Sequence, residues 1–179
     1  SLTGGIPIYG MPPNFTDVFG YGIWKGFPVP ILVTIPCIGL MYLFLNWTRV
    51  GRYIYAIGGN LRAAQLSGIN TKMCLIIAYT TAAFFTGIAA LLSTARLETG
   101  ESNLGVSYPL LSIAACAIGG VSLQGGVGKL HNVVLGAVFI ILIQNGMNLM
   151  RINSYYQMVA IGSLLIISIM AENFRQQLI

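Results

Sequence analysis

The sequence predicts an all-α integral membrane protein with about five transmembrane helical segments, one of them short, broken or re-entrant, and a short helix in the loop that joins the first two. Hydrophobic residues make up 56% of the 179 positions, whereas charged residues make up 7%, far below the roughly 25% typical of soluble domains. The apolar residues also fall into runs near the length of about 20 residues that crosses a bilayer.

The first 27 residues are rich in glycine, proline and aromatic residues and contain no long apolar run. This composition predicts an extramembrane, periplasmic loop at 1–27 with one short helix near Asp17. The chain starts without methionine and without the pattern of a signal peptide, so we expect a fragment of a longer protein.

A transmembrane domain is predicted at 28–172, followed by a polar tail at 173–179. The predicted spans are 27–47, 73–95, 104–123, 130–150 and 156–171. Pro36 predicts a kink in the first span. Pro109 and Gly119-Gly120 limit the third segment, and a short or broken helix at membrane depth needs cover from protein or from a cavity.

Residues 48–72 form the one long polar interruption and carry four of the nine Lys and Arg residues but no acid. Because Lys and Arg in short loops favour the cytoplasmic side, this loop is predicted to be cytoplasmic. Alternation through five spans then places the C-terminus in the cytoplasm as well. This topology bias accounts for the net charge of +5, and nucleic-acid binding is not expected.

The same loop contains its own helix signals. Gly58-Gly59-Asn60 indicates a turn or cap, residues 61–66 favour a short helix, and Ser67-Gly68 ends it. One interpretation is a docking element that lies parallel to the membrane. The other is a surface loop that simply connects two spans.

Three amide side chains, Gln144, Asn145 and Asn148, lie within the fourth apolar segment, where their spacing places them on one helical face. Polar groups in such a segment are unfavourable unless they are paired or face a wet cavity. The three amides therefore either form hydrogen bonds between helices or line a path for a neutral polar solute. Tyr155 and Tyr156 suit anchors in the headgroup region.

A glycine-rich stretch follows the third segment. Its glycines are predicted to permit a tight turn near the membrane surface; they are Gly119, Gly120, Gly125, Gly126 and Gly128. The run 125–129 is not a phosphate loop, because Leu123 stands at the first glycine of that motif and Leu130 at its Ser or Thr.

No catalytic residue, metal site or cofactor is predicted. His131 is the single histidine, and no nucleophile and base can be assembled around it. Cys37, Cys74 and Cys116 lie in apolar stretches, where a thiol behaves as a small hydrophobic group.

Three motifs in order along 48–172 resemble the membrane subunits of ribose-type monosaccharide ABC importers. The first is Gly-Arg-Tyr-Ile-Tyr-Ala-Ile-Gly-Gly-Asn at 51–60, followed by Ala-Ala-x-Leu-Ser-Gly at 63–68. The second is Gly-Gly-Val-Ser-Leu-x-Gly-Gly-x-Gly at 119–128, and the third joins Asn-Gly-Met-Asn-Leu at 145–149 to Ser-Tyr-Tyr-Gln at 154–157.

The resemblance implies a permease of the bacterial inner membrane with about twice this number of spans, of which this chain would be the C-terminal half. It also implies an ABC ATPase subunit, a periplasmic sugar-binding protein, a second permease copy and membrane lipid as partners. The loop at 48–72 would dock its short helix on the ATPase. The implied coupling residues are Arg52, Gly58, Gly59, Asn60, Ala63, Ala64, Leu66, Ser67 and Gly68. The chain departs from the family at Leu61-Arg62, where relatives commonly carry an acid.

Other functions remain as alternatives. An ion-coupled secondary transporter would need ionisable residues inside its spans, and the confident spans contain no Asp, Glu, Lys or Arg. An intramembrane enzyme would need paired polar catalytic groups at membrane depth. An importer permease for another small polar solute, such as an amino acid, is a further alternative.

Overall fold

The computed structural model of the protein describes residues 12–24, 26–100 and 105–177. This part is mostly helical, with one short antiparallel hairpin. Its elements in chain order are α1 (Pro13–Phe19), β1 (Ile23–Trp24), β2 (Phe27–Pro28), α2 (Val29–Trp47), α3 (Arg49–Gly59), α4 (Leu61–Leu66), α5 (Thr71–Leu97), α6 (Tyr108–Ile118), α7 (Leu130–Leu149) and α8 (Ser154–Gln177). Predictions for 1–11, 101–104 and 178–179 concern residues outside the described part.

The chain divides into two compact units, one of residues 1–54 with 62–104 and the other of 55–61 with 105–179. In the first unit, α1 packs against both α2 and α5. A Cβ on Gly20 would come within 2.5 Å of the Ala95 carbonyl oxygen, and the Tyr21 hydroxyl donates a hydrogen bond to the Arg96 carbonyl at 3.1 Å. These contacts anchor the segment after α1 to the C-terminal end of α5.

Three of the described helices, α2, α5 and α7, are long and apolar enough to cross a membrane. At 1.5 Å per residue, the 19 residues of α2 reach roughly 29 Å, close to the hydrocarbon thickness of about 30 Å. None of its residues is buried. A helix that is apolar on all sides and unburied requires lipid or a protein partner around it.

The fifth helix, α5, extends two residues beyond each end of the predicted span at 73–95. Its start is set by Asn70, whose Oδ1 accepts a hydrogen bond from the Met73 backbone N–H at 3.2 Å. An Asn directly before the helix is a capping signal that places the start at Thr71. Glu98 ends the helix in the left-handed conformation.

The second unit is built on α6, α7 and α8, with a core of Ala114, Ala115, Ile140 and Ile161. Helices α6 and α7 run antiparallel and cross closely. A Cβ on Gly119 would lie 2.6 Å from the Asn132 carbonyl oxygen, and one on Gly136 would overlap the Ala115 carbonyl oxygen. Small residues at such crossings let helix backbones approach, as is typical of membrane helices.

Three elements differ from the predicted boundaries. Helix α6 has 11 residues, roughly 16 Å, so the third apolar segment is the short one, as expected, and it begins and ends inside the predicted bounds of 104–123. The predicted loop at 48–72 contains α3 in addition to the expected helix at 61–66. Helix α8 continues to Gln177, because Glu, Arg and Gln favour helix even where the apolar run has ended.

Candidate functional site

The segment between α2 and α5 is mostly helical. Thr48 connects α2 to α3, because its Oγ1 donates to the Phe44 carbonyl at 2.6 Å and accepts from the Gly51 N–H at 3.1 Å. Gly51 is buried, and a Cβ there would overlap the carbonyl oxygen of Leu45. The glycine therefore permits the sharp entry into α3, although from sequence it indicates a break.

Helix α4 presents most of its surface to the outside. Leu66 is 86% exposed, whereas Ala64 is buried. The helix ends at Gly68, which has φ +78. Its N–H bonds the Gln65 carbonyl at 3.0 Å, and the Ile69 N–H bonds the Ala64 carbonyl at 3.1 Å, which is the Schellman arrangement. Helix α4 is therefore a short, firmly ended helix with an exposed leucine at its last position.

Two glycine pairs that are far apart in sequence meet backbone to backbone within the second unit. Gly58 and Gly59 end α3, and Gly125 and Gly126 lie in the turn before α7. A Cβ on Gly58 would lie 2.5 Å from the Gly126 nitrogen, and one on Gly126 would lie 2.6 Å from the Gly59 Cα. We call these four residues the glycine clasp.

The turn that carries half of the clasp is compact. All five glycines predicted for a tight turn lie between the end of α6 and the start of α7. Gly120, Gly125 and Gly126 have φ of +70, +98 and +77, a region that favours glycine. Within the turn, the Ser122 N–H bonds the Val127 carbonyl at 2.9 Å.

A polar cleft of about 450 Å³ lies beside the clasp, and its lining includes Tyr55, Val127, Lys129 and His131. Lys129 and His131 are exposed. Among the described residues, no group of three or more His, Cys, Asp or Glu side chains could hold a metal ion.

A second cavity, of about 180 Å³, lies where α6 begins, α7 ends and α8 begins. Polar groups in its wall come from Ser107, Gln144, Ser154 and Gln157, and apolar ones include Leu111 and Met158. None of these side chains carries a charge. Hydroxyl and amide groups above an apolar wall suit a small neutral solute that has several hydroxyl groups.

The depth of this cavity follows from the short α6. The cavity brings Ser107, before α6, beside Gln144, which lies five residues before the end of α7, or about 8 Å along that helix. The non-helical backbone at 105–107 therefore lies beside the last turns of α7. In a membrane, such backbone is tolerated only where it is covered by protein or lines a water-filled space.

The three amides predicted for one helical face have different surroundings. Gln144 lines the cavity and is half-buried. Asn145 and Asn148 are exposed, and the Asn148 Oδ1 accepts a hydrogen bond from Gln157 Nε2 at 2.8 Å. Gln157 Nε2 also donates to the Ile152 carbonyl at 2.9 Å. One predicted residue therefore lines the cavity, and another pairs two helices.

With this geometry established, the chain can be compared with known proteins. The family described as the branched-chain amino acid transport system / permease component matches residues 3–169. The chain belongs to this permease family. No solved structure matches it at a significant level.

Several curated sugar permeases are similar to this family member. The ribose import permease protein RbsC of Haemophilus influenzae is 38% identical over 96% of this chain and 54% of its own length. The L-arabinose transport system permease protein AraH of Escherichia coli is 36% identical over 88% of the chain and 48% of its own length. The D-allose transport system permease protein AlsC of Escherichia coli is 34% identical over 90% and 49%. The chain spans about half the length of these curated relatives.

Two features of the permease site were not predicted from its sequence. Ser107 lies outside the three motifs and Ser154 lies within the third of them, and both acquire a place in the cavity wall only through the packing of three helices. Gln157 was not expected in the cavity wall either, although a glutamine at the first turn of an apolar helix is itself a sign of a polar partner. Tyr155 and Tyr156 are 78% and 71% exposed.

Proposed function

We propose that this chain forms part of the permease subunit of an ABC importer for a monosaccharide, ribose or a similar sugar. The observation that carries the proposal is its 34–38% identity, over 88–97% of its residues, to permeases named for ribose, L-arabinose and D-allose. The family description names branched-chain amino acids instead, so an amino acid is the second candidate solute.

The cavity favours the sugar over the amino acid. Its polar groups are hydroxyls and amides, which can both donate to and accept from sugar hydroxyl groups. An amino acid carries an ammonium and a carboxylate, and a cavity without charged side chains leaves both poorly stabilised. We assign Gln144 to the translocation path, together with Asn148 through its hydrogen bond to Gln157.

Energy enters through a separate subunit in this proposal. The chain is a transport subunit without hydrolytic chemistry, and α4 docks on the ATPase with its exposed face. The departure at Leu61-Arg62 leaves this helix without an acid near its N-terminus, a difference of about 0.3–1 kcal/mol in helix-dipole interaction. The exposed Leu66 supplies apolar contact area instead.

The proposed topology places α2, α5, α6, α7 and α8 in the bacterial inner membrane, with the segment at 48–72 and the C-terminus in the cytoplasm. The four cations of that segment support this orientation. A periplasmic sugar-binding protein would deliver the solute from the other side. A second permease copy and lipid would cover the unburied surface of α2.

Reconstitution tests the proposed function. The full-length permease containing this chain is placed in proteoliposomes with its ATPase and binding protein, and uptake of ribose, arabinose, allose and leucine is measured with and without ATP. We expect ATP-dependent uptake of at least one sugar. Leucine uptake alone, or sugar uptake on an ion gradient without ATP, would contradict the proposal.

A further inference from the structure

We propose that the glycine clasp is a rigid joint that carries a displacement of the end of α3 into the α6–α7 pair and so to the cavity at the far end of that pair. This inference rests on the proposed function, since it assumes that an ATPase moves α4. It adds a mechanical element to a segment otherwise assigned only to docking.

The contact within the glycine clasp is made by backbone atoms alone. Gly58, Gly125 and Gly126 touch through backbone atoms, with no side chain between them. A side chain can absorb a small displacement by changing rotamer, whereas packed backbones can yield only if the elements themselves move. Movement at the end of α3 is therefore passed directly to the turn.

The clasp is connected to helices on both of its sides. On one side, the Asn60 N–H bonds the Ala56 carbonyl at 3.0 Å, so Asn60 continues the turn of α3 and is covalently joined to α4. On the other side, Gly119 meets Asn132 and Gly136 meets Ala115, again through backbone oxygen atoms. The close contacts thus continue from the clasp along the α6–α7 crossing.

The close contacts along α6 and α7 lead to the cavity. Helices α6 and α7, with Ser107 directly before α6, supply Ser107, Leu110, Leu111 and Gln144 to the cavity wall. A shift of the α6–α7 pair would change the cavity relative to the other residues of the path. Coupling between two sites needs such a discrete connecting element.

The test compares glycine-to-alanine variants in the assembled importer, with sugar uptake and ATP hydrolysis measured in the same proteoliposomes. Gly58→Ala places a Cβ 2.5 Å from a backbone nitrogen, whereas Gly59→Ala places its Cβ 3.9 Å from the nearest atom. We expect Gly58→Ala to lower the sugar transported per ATP by about tenfold, within the usual range of allosteric coupling, and Gly59→Ala to have a smaller effect.

The control is Gly87→Ala in α5, where nothing lies within 4 Å of the added Cβ. It should transport as the wild type does. If Gly58→Ala left the amount of sugar transported per ATP unchanged in a working importer, the proposal of a rigid joint would be wrong. Failure of the wild type to take up any sugar with ATP would instead overturn the proposed function, so the two failures are distinguishable.

A second measurement decides the matter if Gly58→Ala does not assemble. Cysteines replace Tyr55 and Val127, which line the same cleft beside the clasp, in a protein whose three native cysteines are replaced. A short bifunctional thiol reagent then bridges them. A rigid joint predicts that the bridged importer retains uptake relative to reagent-treated single-cysteine variants. Loss of uptake on bridging would mean that the two parts must slide, which overturns the proposal.

Discussion

At the scale of single residues, Gln144 combines a half-buried position with a place in the cavity wall. Its amide can donate to and accept from a sugar hydroxyl group. The neighbouring Asn145 has the same chemistry but is exposed and does not line the cavity. Substitutions at these two residues therefore distinguish a sugar path through the cavity from one along the outer face of α7.

We expect Gln144→Ala to lower sugar uptake by about 2- to 12-fold, since a lost neutral hydrogen bond is worth about 0.5–1.5 kcal/mol. Asn145→Ala should have little effect. Initial uptake rates in proteoliposomes, normalised to the amount of assembled importer, give the comparison. A larger loss for Asn145→Ala would move the path from the cavity to the exposed face.

Two residues with positive φ, Gly68 and Arg151, differ in how far their conformation can be predicted from the sequence. Gly68 follows an Ala- and Leu-containing helix and was expected to end it, and its φ is +78. By contrast, Arg151 also has a positive φ, of +56, at the end of α7. Nothing in its residue type indicates this, because the conformation is imposed by the hydrogen bonds from Arg151 and Ile152 back to Asn148 and Met147.

At the scale of the element, the crossing of α6 and α7 depends on glycine at one position and not at another. A Cβ on Gly136 would overlap the Ala115 carbonyl oxygen, whereas one on Gly146 in the same helix would meet nothing within 4 Å. The two glycines therefore separate close helix packing from the general effect of glycine on a helix.

Gly136→Ala should destabilise the protein by about 1–3 kcal/mol, the usual cost of overpacking. Gly146→Ala should stabilise it by up to about 1 kcal/mol, the difference in helix propensity. Thermal unfolding of the full-length permease in detergent gives both shifts. Equal shifts of the same sign would show that the two helices do not cross at Gly136.

Helix α4 carries the prediction for ATPase docking. Leu66→Ser should weaken binding of the ATPase roughly tenfold to a hundredfold, since a fully buried leucine contributes about 1.5–3 kcal/mol. Leu149→Ser is the matched control, because Leu149 is also 86% exposed but lies at the end of α7. Binding is measured with detergent-solubilised permease on immobilised ATPase. If both variants lost ATPase binding to a similar extent, the ATPase would not dock on α4.

Much of the element pattern was predictable from the sequence, for reasons particular to each element. The apolar runs of α2, α5 and α7 are about as long as a bilayer span or longer, so their positions follow from composition. Helix α3 was missed because its glycines at 51, 58 and 59 indicate breaks, whereas the structure uses them as contacts with Leu45 and with Gly126. Those contacts are tertiary, and single-sequence patterns carry no record of them.

The cavity shows the same limit for a functional site. Gln144 was singled out as a polar group in an apolar helix, a local signal. Ser107 joins it only because α6 is short and crosses α7 at small residues. The wall of the cavity is thus a property of three packed helices rather than of a motif.

At the scale of the whole molecule, the proposed orientation can be read with single cysteines. Gln65 lies in α4 and Tyr155 at the start of α8, and both are exposed. In a background without the native cysteines, a cysteine at Gln65 should react with a membrane-impermeant maleimide only from the cytoplasm, and one at Tyr155 only from the periplasm. Labelling of both from one side would contradict the alternation of five segments.

The unburied surface also belongs to this scale. Large apolar side chains such as Ile35, Leu40 and Leu43 are exposed along α2. In water such a surface drives association. In the proposed assembly it is covered by lipid, by the other half of the permease or by a second copy.

The short α6 also has an electrical consequence. Membrane voltage falls across low-dielectric material, and moving one elementary charge through 100 mV corresponds to about 2.3 kcal/mol. Where water reaches the backbone at 105–107, the insulating layer beside α6 is thinner, and a charged group near Ser107 senses only part of the voltage. A neutral sugar crosses such a layer without electrical work, whereas an ion leak would be governed by it. The proposed uncharged solute and the half-length helix are therefore physically compatible.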